Sequence, residues 1–128
     1  MNTRGRHFML DLFECPAEPL NDAELLRRLL KEAAERAGAH VVAEVFHPFS
    51  PHGVSGVLAI EESHLSVHTW PEEGYAALDF YTCGNSDPEA ALLALAQGVG
   101  ARRAELLEVT RGVAQESTLL FSQRKRIL

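Results

Sequence analysis

The chain has 128 residues, 46% apolar and 23% charged, which is one ordinary globular domain able to bury its own core without staples. Its 12 Lys+Arg against 18 Asp+Glu leave a net charge of -6, which repels a nucleic-acid backbone, and no apolar run is long enough to span a bilayer. Lys31 sits in a helical pattern and Lys125 in the tail, so neither of these two lysines is placed to hold pyridoxal phosphate.

Met1–Arg6 lacks the apolar centre of a signal peptide, so a cytoplasmic protein is expected, with Cys15 and Cys83 as free thiols. His7–Cys15 reads as a first strand, ended by Pro16 and Pro19. Asn21 is expected to cap a helix, with Glu24 closing a capping box. Leu25, Leu26, Leu29, Leu30, Ala33, Ala34 and Ala37 recur at helical spacing, and Gly38 stops them. Strands are expected over His40–Phe46, Val54–Ile60, His64–Thr69 and Ala76–Tyr81, with a loop at His47–Gly53 and a turn at Pro71–Gly74. Leu65 and Val67 alternate with His64, Ser66 and His68, so the histidines share one side. Asp87 and Pro88 open a second helix with Leu92, Leu93, Leu95, Ala96 and Val99 on its apolar side, and Gly98 and Gly100 end it. Ala104–Thr110 reads as the last strand. Residues 115–128 carry weak pattern, and Arg124-Lys125-Arg126 reads as a solvated tail.

Short turns between successive strands imply antiparallel pairing. The expected fold is an α+β two-layer sandwich in a single domain, 1–128, an antiparallel sheet with two helices on one face. The bare face suits a second copy, so a homodimer is expected.

Polar residues concentrate between His47 and Gly84. His64, His68, Asp79 and Cys83 are ligand types for zinc or iron. On a strand, His64 and His68 stand roughly 13 Å apart at about 3.3 Å per residue. One ion does not bridge that, and no metal is expected. Cys83 beside a histidine base suits nucleophilic catalysis, although a lone cysteine is more often structural. His7 and Cys15 read as structural, Asp79 as a surface or paired acid, and His47 and His52 as loop residues without a task.

The string Glu61-Glu62-Ser63-His64-Leu65-Ser66-Val67-His68-Thr69-Trp70-Pro71-Glu72 decides among these readings. Gly74–Asp79 and Phe80-Tyr81-Thr82-Cys83-Gly84 follow it. Gly5-Arg6-His7, Phe46-His47 and Gly53-Val54-Ser55-Gly56-Val57 precede it. From about Gly5 to Gly112 the chain resembles the prokaryotic S-adenosylmethionine decarboxylases. The resemblance implies a proenzyme that cuts itself between Glu62 and Ser63 into 1–62 and 63–128. The Ser63 hydroxyl would take over the Glu62 acyl group. Loss of the Ser63 α-proton and elimination of the Glu62 carboxylate would then leave a pyruvoyl group on residue 63. It further implies His68 as proton acceptor for processing, assisted by Ser55, and Cys83 as proton donor in catalysis. Phe49, Leu65, His68, Trp70 and Glu72 are implied at the substrate, in a site shared across a homodimer. The electrophile is thus self-made, with no pyridoxal phosphate and no metal. The implied product is decarboxylated S-adenosylmethionine, the aminopropyl donor for spermidine. Position 73 is Glu, where this family commonly carries an aromatic residue. Two alternatives remain open at this point: a pyruvoyl-dependent arginine or ornithine decarboxylase, and an uncut, non-catalytic ligand- or metal-binding domain.

Overall fold

The computed structural model describes residues 3–83, 88–112 and 122–128. In chain order the elements are β1 (Gly5–Phe13), α1 (Ala17–Leu20), α2 (Ala23–Arg36), β2 (Val41–Pro48), β3 (Val54–Ile60), β4 (Ser63–Trp70), β5 (Tyr75–Thr82), α3 (Glu89–Gly98), β6 (Arg103–Arg111) and β7 (Ser122–Arg126). The strands form one sheet in the order β2-β3-β4-β5-β1-β6-β7, and every pairing is antiparallel. Strands β2 to β5 form a meander, while β1 lies between β5 and β6. The chain therefore crosses the sheet twice, through α2 and through α3, and these helices pack on each other and on one face. The expected α+β two-layer sandwich is the observed architecture.

Period-2 alternation builds the core. Phe8, Leu10 and Leu12 of β1, Leu65 and Val67 of β4, and Leu78 and Phe80 of β5 are buried against Leu26 and Leu30 of α2 and Leu92 and Leu95 of α3. Each such side chain contributes about 2 kcal/mol by leaving water. The intervening residues point to the opposite face, which no helix covers among the described residues. His7, Met9 and Asp11 stand there beside Ala77, Asp79 and Tyr81, and these beside His64, Ser66 and His68.

Several local features differ from expectation. Asp22, not Asn21, caps α2, accepting from the Leu25 amide at 3.0 Å. Glu24 then sits too early for a capping box and instead pairs with Arg27 at 3.2 Å. The Asn21 side chain accepts from the Gly53 amide at 2.8 Å, tying down the 49–53 loop. Pro19 does not exclude helix at α1, because the first turn of a helix needs no amide donors. Gly38 takes φ +75°, the left-handed geometry that favours glycine just past a helix end. Strand β2 continues to Pro48, so His47 is a strand residue. Arg124-Lys125-Arg126 is exposed, as expected, but belongs to β7 rather than to a tail, with Arg124 reaching Glu105 at 3.4 Å and Lys125 reaching Glu89 at 2.6 Å. A polar strand paired on one side carries no hydrophobic alternation to read. Pro88 occupies the cap position of α3, whereas the expected Asp87 cap lies outside the described residues.

Candidate active site

The candidate groups stand at opposite ends of β4. Ser63 begins the strand and His68 lies five residues on, roughly 16 Å away at about 3.3 Å per residue. One chain thus gathers the sequence-predicted residues into two clusters.

At the first end, Ile60 pairs with Ser63, so β3 turns into β4 through Glu61 and Glu62 alone. Glu62 takes φ +57°. Glycine, asparagine or aspartate usually fills such a position in a two-residue hairpin turn. A glutamate held there stores roughly 1–2 kcal/mol of backbone strain. The peptide bond to Ser63 follows directly. Glu62, Ser63 and Cys83 line one cleft of about 900 Å³, together with His40, Gly38 and Thr82.

Beside this cleft the uncovered face carries a polar network. Asp79 accepts hydrogen bonds from the Ser66 hydroxyl, from His7 Nε2 at 2.7 Å and from His64 Nε2 at 3.0 Å. Arg111 Nη1 donates to His7 Nδ1 at 3.1 Å. A guanidinium only donates, so Nδ1 accepts and Nε2 carries the proton. Burial alone would raise the Asp79 carboxyl. The hydrogen bonds from Ser66, His64 and His7 outweigh it and hold the group below the ordinary carboxylate value. His7, His64 and Asp79 place three ligand-type atoms within 4.8 Å of one another. A metal at this trio would need the Nε2 lone pair of His7. The neutral ring has one nitrogen lone pair, and Arg111 engages it at Nδ1. The trio reads as a hydrogen-bonded carboxylate.

At the second end, Ser55 of β3 lies opposite His68, with Oγ and Nδ1 2.8 Å apart. Phe49, Trp70, Glu72 and His52 join them around a pocket of about 440 Å³. Phe49 is 50% exposed and meets the His47 ring edge-on at 4.7 Å. Trp70 stacks on Tyr75 at 5.4 Å. Glu72 pairs with His52 at 2.7 Å. The buried Thr69 hydroxyl braces this end, donating to the Leu20 carbonyl and accepting from the Val54 amide. Leu65 differs from the other implied substrate contacts. It is wholly buried on the helix-covered face, so its side chain supports the core and lines neither cluster.

The family model for S-adenosylmethionine decarboxylase matches residues 6–112. The chain belongs to that family. It is 47% identical over 113 residues to the S-adenosylmethionine decarboxylase proenzyme of Bacillus cytotoxicus, a match covering 88% of this chain and 87% of that one. The proenzyme of Geobacillus kaustophilus is 44% identical, over 88% of this chain and 91% of its own. The crystal structure of the adenosylmethionine decarboxylase from Aquifex aeolicus superposes with a TM-score of 0.80 at 32% identity, covering 91% of this chain and 98% of that one.

Among the described residues, a glutamate with left-handed backbone, a serine hydroxyl and a cysteine thiol meet at this cleft, and no lysine lines it. Glu73, the departure from the family pattern, is exposed in the turn after β4. Cys15 is buried, and burial pushes its thiol up to about 11, which fits a structural role. Sequence reasoning gives no task to His52 or Arg111, reads His7 as structural, and does not single out Tyr81. Their partners are remote in the chain, as with His7 and Asp79 or His52 and Glu72. Strand parity was the one available signal, since Tyr81 and Cys83 are two positions apart.

Proposed function

We propose that the chain is made as a proenzyme, cuts itself between Glu62 and Ser63, and then decarboxylates S-adenosyl-L-methionine. The product is the decarboxylated, aminopropyl-donating form. The cut chains are 1–62 and 63–128, with a pyruvoyl group on residue 63. The observation that carries this reading is the meeting of left-handed Glu62, Ser63 and Cys83 at one cleft.

The Ser63 hydroxyl attacks the Glu62 carbonyl, and the turn relaxes as the acyl group moves from nitrogen to oxygen. His68, with Ser55 at its Nδ1, takes the Ser63 α-proton. Elimination releases the Glu62 carboxylate and leaves a dehydroalanine, which tautomerises to an imine that water hydrolyses with loss of ammonia. Once made, the pyruvoyl group supplies a carbonyl that captures the substrate amine and accepts the electrons left by carbon dioxide. Cys83 then delivers a proton to the substrate's α-carbon. Phe49 and the His68 ring stack on the adenine and attract the sulfonium cation. Glu72 accepts hydrogen bonds from the ribose, and Trp70 walls the pocket. A net charge of -6 favours approach of a cationic substrate. A reducing, cytoplasmic setting belongs to this reading, since Cys83 acts as a thiol.

A single chain holds His68 too far from Ser63 for this chemistry, and a homodimer removes the difficulty. If two uncovered faces pack across a two-fold axis running perpendicular to the strands, the Ser63 end of one β4 meets the His68 end of the other. Exposed Met9 and Val57 on that face favour such burial.

Carbon dioxide release from S-adenosylmethionine, arginine and ornithine tests the substrate. Release from S-adenosylmethionine alone is expected. Release from arginine or ornithine instead would overturn the assignment.

A further inference from the structure

Tyr81 is half-buried and flanked by four residues. Gly5 opens β1 beneath it, and a Cβ there would stand 2.5 Å from both Cε1 and the hydroxyl of the phenol. Close approach, not backbone geometry, thus demands glycine at this strand position. The Arg111 guanidinium lies 5.1 Å from the Tyr81 ring centre. The rings of His7 and His64 lie at 5.6 and 6.0 Å. Both imidazoles are fixed by Asp79, which Ser66 also holds. The ring so flanked places its hydroxyl 3.8 Å from Cys83 Sγ, where it accepts from the thiol.

We propose that Tyr81 is the positioning residue for the Cys83 thiol, its hydroxyl holding Sγ at the Ser63 cleft and donating to the sulfur once the proton has left. This rests on Cys83 being the proton donor. In that step the Sγ–H bond breaks and its electron pair stays on sulfur. The proton joins the pair that carbon dioxide leaves on the substrate's α-carbon. A donor at the sulfur stabilises the negative charge formed there. A fixed sulfur also decides which carbon is protonated. If the proton reaches the carbon of residue 63 instead, water releases the substrate chain as an aldehyde. The nitrogen then stays on residue 63, which ends as alanine.

Tyr81→Phe removes the hydroxyl and keeps the ring, so cutting and KM are expected to be unchanged while kcat falls about tenfold. The share of 63–128 chains ending in alanine, read by intact mass, rises several-fold. A second readout needs no turnover. In the uncut Ser63→Ala chain, iodoacetamide alkylates Cys83 and spares buried Cys15. Adding Tyr81→Phe slows that alkylation about three- to tenfold at pH 7. Gly5→Ala displaces the phenol and reproduces both effects. Unchanged alkylation and an unchanged alanine share in Tyr81→Phe would overturn the proposal. Normal turnover in Cys83→Ala would be a different failure, removing Cys83 from the reaction altogether.

Discussion

At the Ser63 end of β4 the side chains are tied to one another: Asp79 takes three hydrogen bonds, Arg111 fixes His7, and Tyr81 fills the space above Gly5. At the His68 end the rings stand half in solvent, with Phe49 at 50% and Trp70 at 41% exposed. The first end suits bond breaking and proton delivery, which need fixed atoms. The second offers a half-exposed stacking surface beside His68. On the proposed reading, each chain lends the Ser63–Cys83 half of one site and the His68–Phe49 half of another.

Four substitutions sharpen or break this contrast. Ser63→Ala should abolish cutting and activity completely while leaving a folded chain, seen as one intact mass with an unchanged thermal transition. Any cleavage in that variant would remove the Glu62–Ser63 assignment. Phe49→Ala touches the stacking surface and leaves His68 in place, so it should raise KM about 10- to 100-fold, as expected for one lost base–aromatic stack. Cutting should proceed as before. A slowed cut would show that stacking and processing are not separable in this way.

Asp79→Asn should cost about 2 kcal/mol in denaturant unfolding, because His7, His64 and Ser66 lose a charged acceptor. The pH dependence has a definite sign. Burial raises the Asp79 carboxyl, but its hydrogen bonds win and leave it depressed in the folded state. Its contribution is therefore complete above the ordinary carboxylate value of about 3.9 and lost as pH falls through the folded value. The gap between the parent and Asp79→Asn should narrow below about pH 4. A gap independent of pH would show that Asp79 is not held charged. Glu62→Gly should have the smallest effect on stability, a gain of about 1 kcal/mol from relieved strain. In the Ser63→Ala background that gain is measurable without cutting. In the parent it should slow cutting several-fold, and faster cutting would exclude strain as a driver.

The sheet and α2 were legible because their apolar residues repeat at the periods of strand and helix. The cap of α2 was not, since Asn21 and Asp22 are equally good caps and the Gly53 amide, from a distant loop, claims Asn21. Strand β7 was hidden by its polar edge, and α1 by two prolines. In the site, Ser63, His68, Ser55 and Cys83 were singled out by a string resembling a family, not by any period of their own. Their division into two clusters followed only from the length of β4. Tyr81, His7 and Arg111 were illegible because strand pairing, not sequence proximity, brings them together.

The proposed division of the site between two chains is tested most directly by co-expressing Ser63→Ala with His68→Ala and weighing the denatured products. Each variant alone should remain uncut, or nearly so for His68→Ala. Together they should yield 1–62 and 63–128 from the His68→Ala chain alone, because its Ser63 meets the intact His68 of the other. Full cutting of His68→Ala by itself, or no cutting in the mixture, would contradict the shared site.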